Sequence, residues 1–102
     1  MTKRDIFMTV IDTVCTLCEV DASDILNGVK RSECVEARSI AAHFLMKYGV
    51  LPNDVIRFSN NTVRHRYCVT KSASSYYDRY RQSFSFRCSA DAVGNALSEI
   101  LQ

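Results

Sequence analysis

Glycine and proline are scarce in this sequence, with three glycines and one proline among 102 residues. Together with 47% hydrophobic and 10% aromatic residues, that scarcity excludes a Gly-rich β architecture and a disordered chain. Long apolar runs are missing too, so no segment reaches the length needed to cross a bilayer. The N-terminal MTKRDIFMTVIDTV has a basic start, but Asp5 and Asp12 interrupt what would be the apolar core of a signal peptide. A soluble, cytoplasmic chain is the expectation. There is no Gly-rich Lys-Ser/Thr loop, hence no phosphate cradle for a nucleotide. Only two histidines occur, and no paired acids stand in a matching context. No catalytic constellation and no cofactor is therefore expected. The length suits one domain over residues 1–102, with one modest core.

The five cysteines, Cys15, Cys18, Cys34, Cys68 and Cys88, are odd in number and widely spread. A secreted disulfide framework does not fit that pattern. Cys15 and Cys18 form a Cys-Thr-Leu-Cys unit of the kind used for zinc or redox chemistry. No second pair follows at ligand spacing, and the unit lies in an amphipathic helical pattern where i and i+3 share a face. Small, reduced core residues are expected, and the metal or thiol rival rests on this pair alone.

The net charge of +2 hides an uneven distribution. Residues 1–54 carry net −2 and residues 91–102 carry −2, whereas residues 55–90 carry +6. The basic third holds Arg57, Arg64, Arg66, Lys71, Arg79, Arg81 and Arg87 against Asp78 alone. Such a segment is the electrostatic footprint of a polyanion-binding face. The plainer alternative is a solvated face that happens to be basic.

Hydrophobic spacing predicts helices throughout. Ile6, Phe7, Val10, Ile11, Val14, Leu17 and Cys18 recur at three- and four-residue intervals, giving an amphipathic helix over 4–19. Asp21 is the expected cap of a short helix, DASDIL, which stops at Asn27-Gly28. Ser32 is the expected cap of a third helix, with Glu33 and Glu36 near its start. Val35, Ile40, Ala41, Phe44, Leu45 and Tyr48 form its buried side, and Gly49 followed by Val50 ends it. Leu51-Pro52-Asn53-Asp54 starts a fourth helix, with Pro52 in its permitted first-turn place. Ser59-Asn60-Asn61 breaks it, and a helix from about Thr62 to Tyr77 follows. Ser83-Phe84-Ser85-Phe86 alternates and is expected as a loop pinned by its aromatics. A last helix, capped by Ser89, spans Ala90 to Leu101 with Val93, Leu97, Ile100 and Leu101 inward. The class is all-α, five to six helices.

Two unequal helices joined by a short polar turn make a helix-turn-helix candidate. In that motif the second helix enters the major groove and its N-terminal residues meet base edges. Here Val63 can anchor inward while Thr62, Arg64, His65 and Arg66 surround it. Arginine's planar fork donates to two guanine acceptors at once, and Asn60 and Asn61 can meet phosphate or an adenine edge.

Upstream residues add a resemblance. The run VDASDILNGVKRSECVEARSIAAHFLMKYGVLPNDVIRFSNNTV contains Asp24-Ile25-Leu26, Lys30-Arg31, Ala37-Arg38-Ser39-Ile40-Ala41, Leu51-Pro52 and Thr62-Val63 in order. This series resembles the C-terminal DNA-binding domain of the bacterial replication initiator DnaA. That domain has an Asp-aliphatic-Leu helix, a basic loop, an Ala/Pro-Arg-x-aliphatic-Ala helix, a Leu-Pro-started helix and a Thr-Val-started recognition helix. The resemblance implies an all-α helix-turn-helix fold like that domain and the Trp repressor. It further implies a stand-alone, nucleoid-associated module that binds double-stranded DNA in replication initiation or transcription control. By position it places Lys30, with Arg31 beside it, at the minor groove, Arg38 near the DNA backbone, and Thr62 and His65 on the recognition helix.

The family's Gly-Gly-Arg-Asp-His-Thr-Thr-Val signature is replaced here by Ser59-Asn60-Asn61-Thr62-Val63. Its base-reading Arg-Asp-His is missing, so the family's usual target is not expected. The rival from another class is a protein–protein module, with a protein partner or a homodimer, that keeps the fold without DNA binding. It predicts an exposed apolar patch. His43, between Ala42 and Phe44, is expected as a half-buried helix residue rather than a ligand. Tyr76, Tyr77 and Tyr80, interleaved with Arg79 and Arg81, are expected to close the core, with stacking on single-stranded bases as their alternative.

Overall fold

A computed structural model describes residues 2–58 and 75–101. Among these residues every regular element is helical: α1 (Lys3–Cys18), α2 (Ala22–Leu26), α3 (Ser32–Lys47), α4 (Pro52–Phe58), helical residues 75–82 (α5) and α6 (Phe84–Ile100). Among them no helix is long and apolar enough to cross a membrane.

α1 begins in a capping box. The Thr2 hydroxyl accepts from the Asp5 backbone N–H at 3.2 Å, and the Asp5 carboxylate accepts from the Thr2 N–H at 3.2 Å. Two donors orphaned by the helix start are thereby satisfied. Phe7, Val10, Ile11 and Val14 then fall on one stripe and are buried. Leu17, expected inward, is exposed, whereas the next residue, Cys18, packs against the core.

α3 packs against α1, α2 and α6, and α1 packs against α2, α3, α4 and α6. Residues Ala37 to Ala42 are buried without interruption, Arg38 and Ser39 included. Small side chains at Cys34, Ala37, Ala41 and Ala42 let three helices approach, so the buried surface is wider than one apolar stripe predicts. α3 ends as expected. Gly49 takes φ +85°, the Val50 N–H donates to the Leu45 carbonyl at 2.8 Å, and the Gly49 N–H donates to the Met46 carbonyl at 3.1 Å. This is a Schellman motif, and its following residue, Val50, is fully buried.

α4 starts at Pro52 as expected, and Asp54 secures it by accepting from the Leu51 N–H at 3.1 Å. That contact, with Lys3 and Arg57 nearby, holds the Asp54 carboxyl below its ordinary range. Lys3 reaches the same carboxylate at 3.5 Å, tying α1 to the start of α4.

Four expectations are corrected. Asp21 precedes α2 but makes no side-chain cap, its carbonyl instead accepting from the Asp24 and Ile25 N–H groups. Arg31, not Ser32, is the cap residue of α3, without a side-chain cap bond. The expected end at Tyr77 is passed, since residues 75–82 are helical, while the expected start near Thr62 lies outside the described residues. The last helix starts at Phe84, capped by Ser83, whose hydroxyl accepts from the Phe86 N–H at 3.2 Å, and not at Ala90 after Ser89. Residues i and i+2 of a helix point about 200° apart. Phe86 is therefore buried while Phe84 is 74% exposed, so the alternation that suggested a loop is satisfied inside a helix. Val93 and Leu97 face inward as expected, but Ile100 is exposed and Leu101 half-buried.

Candidate functional site

Only part of the expected DNA-facing surface lies within the described residues. Asn60, Asn61, Thr62, Arg64, His65 and Arg66 fall outside them. Lys30, Arg31 and Arg38 fall inside, and all three belong to the corner where α2 turns into α3.

The corner is built on Gly28, at φ +74°. The Val29 N–H donates to the Asp24 carbonyl at 3.1 Å and the Gly28 N–H to the Ile25 carbonyl at 3.4 Å, giving α2 the same Schellman ending as α3. A side chain of α3 completes it. Arg38 donates from Nε to the Ile25 carbonyl at 2.6 Å, and from Nη2 to the Asp24 carbonyl at 2.9 Å and the Val29 carbonyl at 2.9 Å. The residue is buried, 6% exposed, and its guanidinium spans the C-terminal carbonyls of α2, where positive charge is favoured. Arg38, expected near a DNA phosphate, is thus an internal clamp of the loop. Sequence spacing carried a signal for this. Arg38 shares a helical face with Cys34, Ala41 and Leu45, all buried.

Lys30 and Arg31 differ in their surroundings. Lys30 is exposed at the tip of the corner. Arg31 is exposed as well, but its Nη2 lies 2.6 Å from the Asp24 carboxylate and 3.6 Å from Cys34 Sγ, and its Nε lies 3.6 Å from Glu33. The Asp24 pairing was not foreseen in the sequence, although an acid seven residues before Arg31 is visible there. An exposed pair of this kind contributes little to stability, so a phosphate can compete for Arg31 at little cost. The corner therefore offers one directly presented cation and one that is exchangeable.

At the far end of α4, Arg57 is paired with Asp54 at 2.8 Å and lies over the Phe58 ring, 5.5 Å from its centroid. Beyond Phe58 begin the residues outside the description.

A concavity lies between α3, α5 and α6. It is a groove of about 1390 Å³ lined by His43, Met46, Lys47, Tyr76, Tyr77, Tyr80, Asp91 and Asn95 among others. His43 is half-buried, as expected, and stacks on Tyr76 with centroids 3.9 Å apart and planes 5° apart. Burial, with Lys47 nearby, lowers its pKa, so the imidazole is held neutral. Tyr76 closes the core, and burial pushes its phenol up to about 12, whereas Tyr77 is 59% exposed. The Tyr80 hydroxyl donates to Asp91 at 2.8 Å, joining α5 to α6. Lys47 and Asp91 give the groove one charge of each sign, so it offers a polyanion no net attraction.

Cys15 and Cys18 are free and half-buried. Burial, then the Asp12 charge, pushes the Cys15 thiol up to about 11, and burial and Glu36 raise that of Cys18. Both shifts oppose the thiolate that zinc binding or thiol chemistry requires. Among the described residues no cluster of three His, Cys, Asp or Glu side chains is placed to hold a metal ion.

Compared with protein-family models, with curated proteins and with solved structures, the chain finds no match.

Proposed function

We propose that the chain is a non-catalytic helical module that binds double-stranded DNA through the α2–α3 corner and the basic residues that follow α4, in the manner of the initiator's DNA-binding domain it resembles. The observation that carries the reading is the corner. A basic loop between a short and a long helix presents Lys30 to solvent while its backbone is fixed from behind. Support also comes from the order of elements, since α2, the basic corner, α3 and a Pro52-started α4 follow one another as in that family. In this reading Lys30 and Arg31 meet the minor groove or backbone. Asn60, Asn61, Thr62, Arg64, His65 and Arg66 meet the major groove. Arg38 leaves the set of DNA contacts. Because the family's base-reading signature is replaced, the target differs from the family's box.

The test is selection from a random duplex library followed by affinity measurements on the enriched sequences. Enrichment of a defined site is expected, with Arg64→Ala costing about 1–3 kcal/mol on that site. Failure to enrich any duplex at low ionic strength would sink the reading. A second reading, a protein–protein module, is favoured by one observation: Met46 and Tyr77 leave apolar surface exposed in the groove between α3, α5 and α6.

A further inference from the structure

Arg38 is 6% exposed, and two of its three guanidinium nitrogens are already engaged within the fold. Its Nε and Nη2 are bound to three carbonyls, and presenting that edge to DNA would require breaking all three bonds. Two of those carbonyls, of Asp24 and Ile25, already accept the N–H groups of Val29 and Gly28, so Arg38 is the second donor of the same turn. The third carbonyl, of Val29, immediately precedes Lys30. On the other side of Lys30, the Arg31 side chain is held by the Asp24 carboxylate. Lys30 thus sits between two anchored residues, and both anchors converge on Asp24, one on its backbone and one on its side chain.

We propose that Arg38 is a positioning residue for DNA binding. It acts on duplex DNA only through the α2–α3 corner, by fixing the backbone from which Lys30 is presented. This assignment rests on the duplex-binding reading above. Its physical basis is pre-organisation: a loop ordered before binding does not pay for that ordering on contact with DNA. Ordering about one backbone residue is worth about tenfold in affinity, or ~1.4 kcal/mol.

A double-mutant cycle with Arg38→Gln and Lys30→Ala, read by duplex affinity, tests the assignment. Arg38→Gln is expected to weaken binding about tenfold, and Lys30→Ala to lose most of its own effect in the Arg38→Gln background. Arg38→Lys, which keeps the charge but not the planar fork, is expected not to rescue. In hydrogen exchange, the amides of Asn27, Gly28 and Val29 are expected to exchange faster in Arg38→Gln while those of α1 and α6 keep their rates. If Arg38→Gln fails to fold, Gly28→Ala perturbs the same turn and is expected to reduce the Lys30→Ala effect in the same way. Additive effects of Lys30 and Arg38, or rescue by Arg38→Lys, would overturn the assignment in favour of a direct phosphate contact. Unchanged loop exchange would overturn it too. No duplex binding by the unmodified chain would instead sink the functional reading, whatever the exchange arm reports about the clamp.

Discussion

Two glycine turns bracket α3, and they secure the same backbone device in opposite ways. At Gly49 the left-handed residue is followed by Val50, whose side chain is 0% exposed, so the turn is held by its place in the core. At Gly28 the following residue, Val29, is only half-buried, and the turn is held by the guanidinium of Arg38. A turn fastened by apolar burial cannot loosen without opening the core. A turn fastened by hydrogen bonds to one side chain can change locally, and it leaves its outer surface polar. The first kind suits a joint that only has to hold, the second a loop that has to present a charge.

Substitutions at the two turns break the comparison in different ways. The largest loss of stability is expected from Val50→Ala. Removing two buried methyl-sized groups and leaving a cavity costs about 2–3 kcal/mol, measured by denaturant unfolding, with duplex affinity of the folded fraction unchanged. Smaller effects are expected from Gly49→Ala and Gly28→Ala, each about 1 kcal/mol for an L-residue in left-handed backbone. At Gly49 an added Cβ meets nothing within 4 Å, so the backbone conformation is the whole cost there. The two alanine variants should differ in DNA affinity, which only Gly28→Ala lowers. Equal affinity of the two would mean that the corner's geometry is irrelevant to binding.

The same contrast explains what the sequence disclosed. Both turns were legible, because Asn27-Gly28 and Gly49-Val50 carry the residues that left-handed backbone and its apolar follow-up require. The stripe of Phe7, Val10, Ile11 and Val14 was legible through its spacing alone. The start of α6 was not. Ser83 and Ser89 are equally good caps in isolation, and Phe84 and Phe86 alternate as a strand or loop would, until a whole helix shows that one faces out and one in. The clamp was not legible for a related reason. Arginine is seldom buried, so Arg38 read as a surface cation despite sharing a face with Cys34, Ala41 and Leu45. What Arg38 binds is backbone carbonyl, which no residue type announces. Of the candidate site, the corner was found by its Lys30-Arg31 pair, while the partnership of Arg31 with Asp24 emerged only from the fold.

The most direct test of the central claim is a salt titration of duplex affinity, comparing the unmodified chain with Lys30→Ala by fluorescence anisotropy on a labelled random duplex. The account predicts that affinity falls linearly with salt on logarithmic axes, and that Lys30→Ala lowers the slope by about 1 with little dependence on sequence. Affinity that is undetectable at low ionic strength, or that does not change with salt, would contradict it.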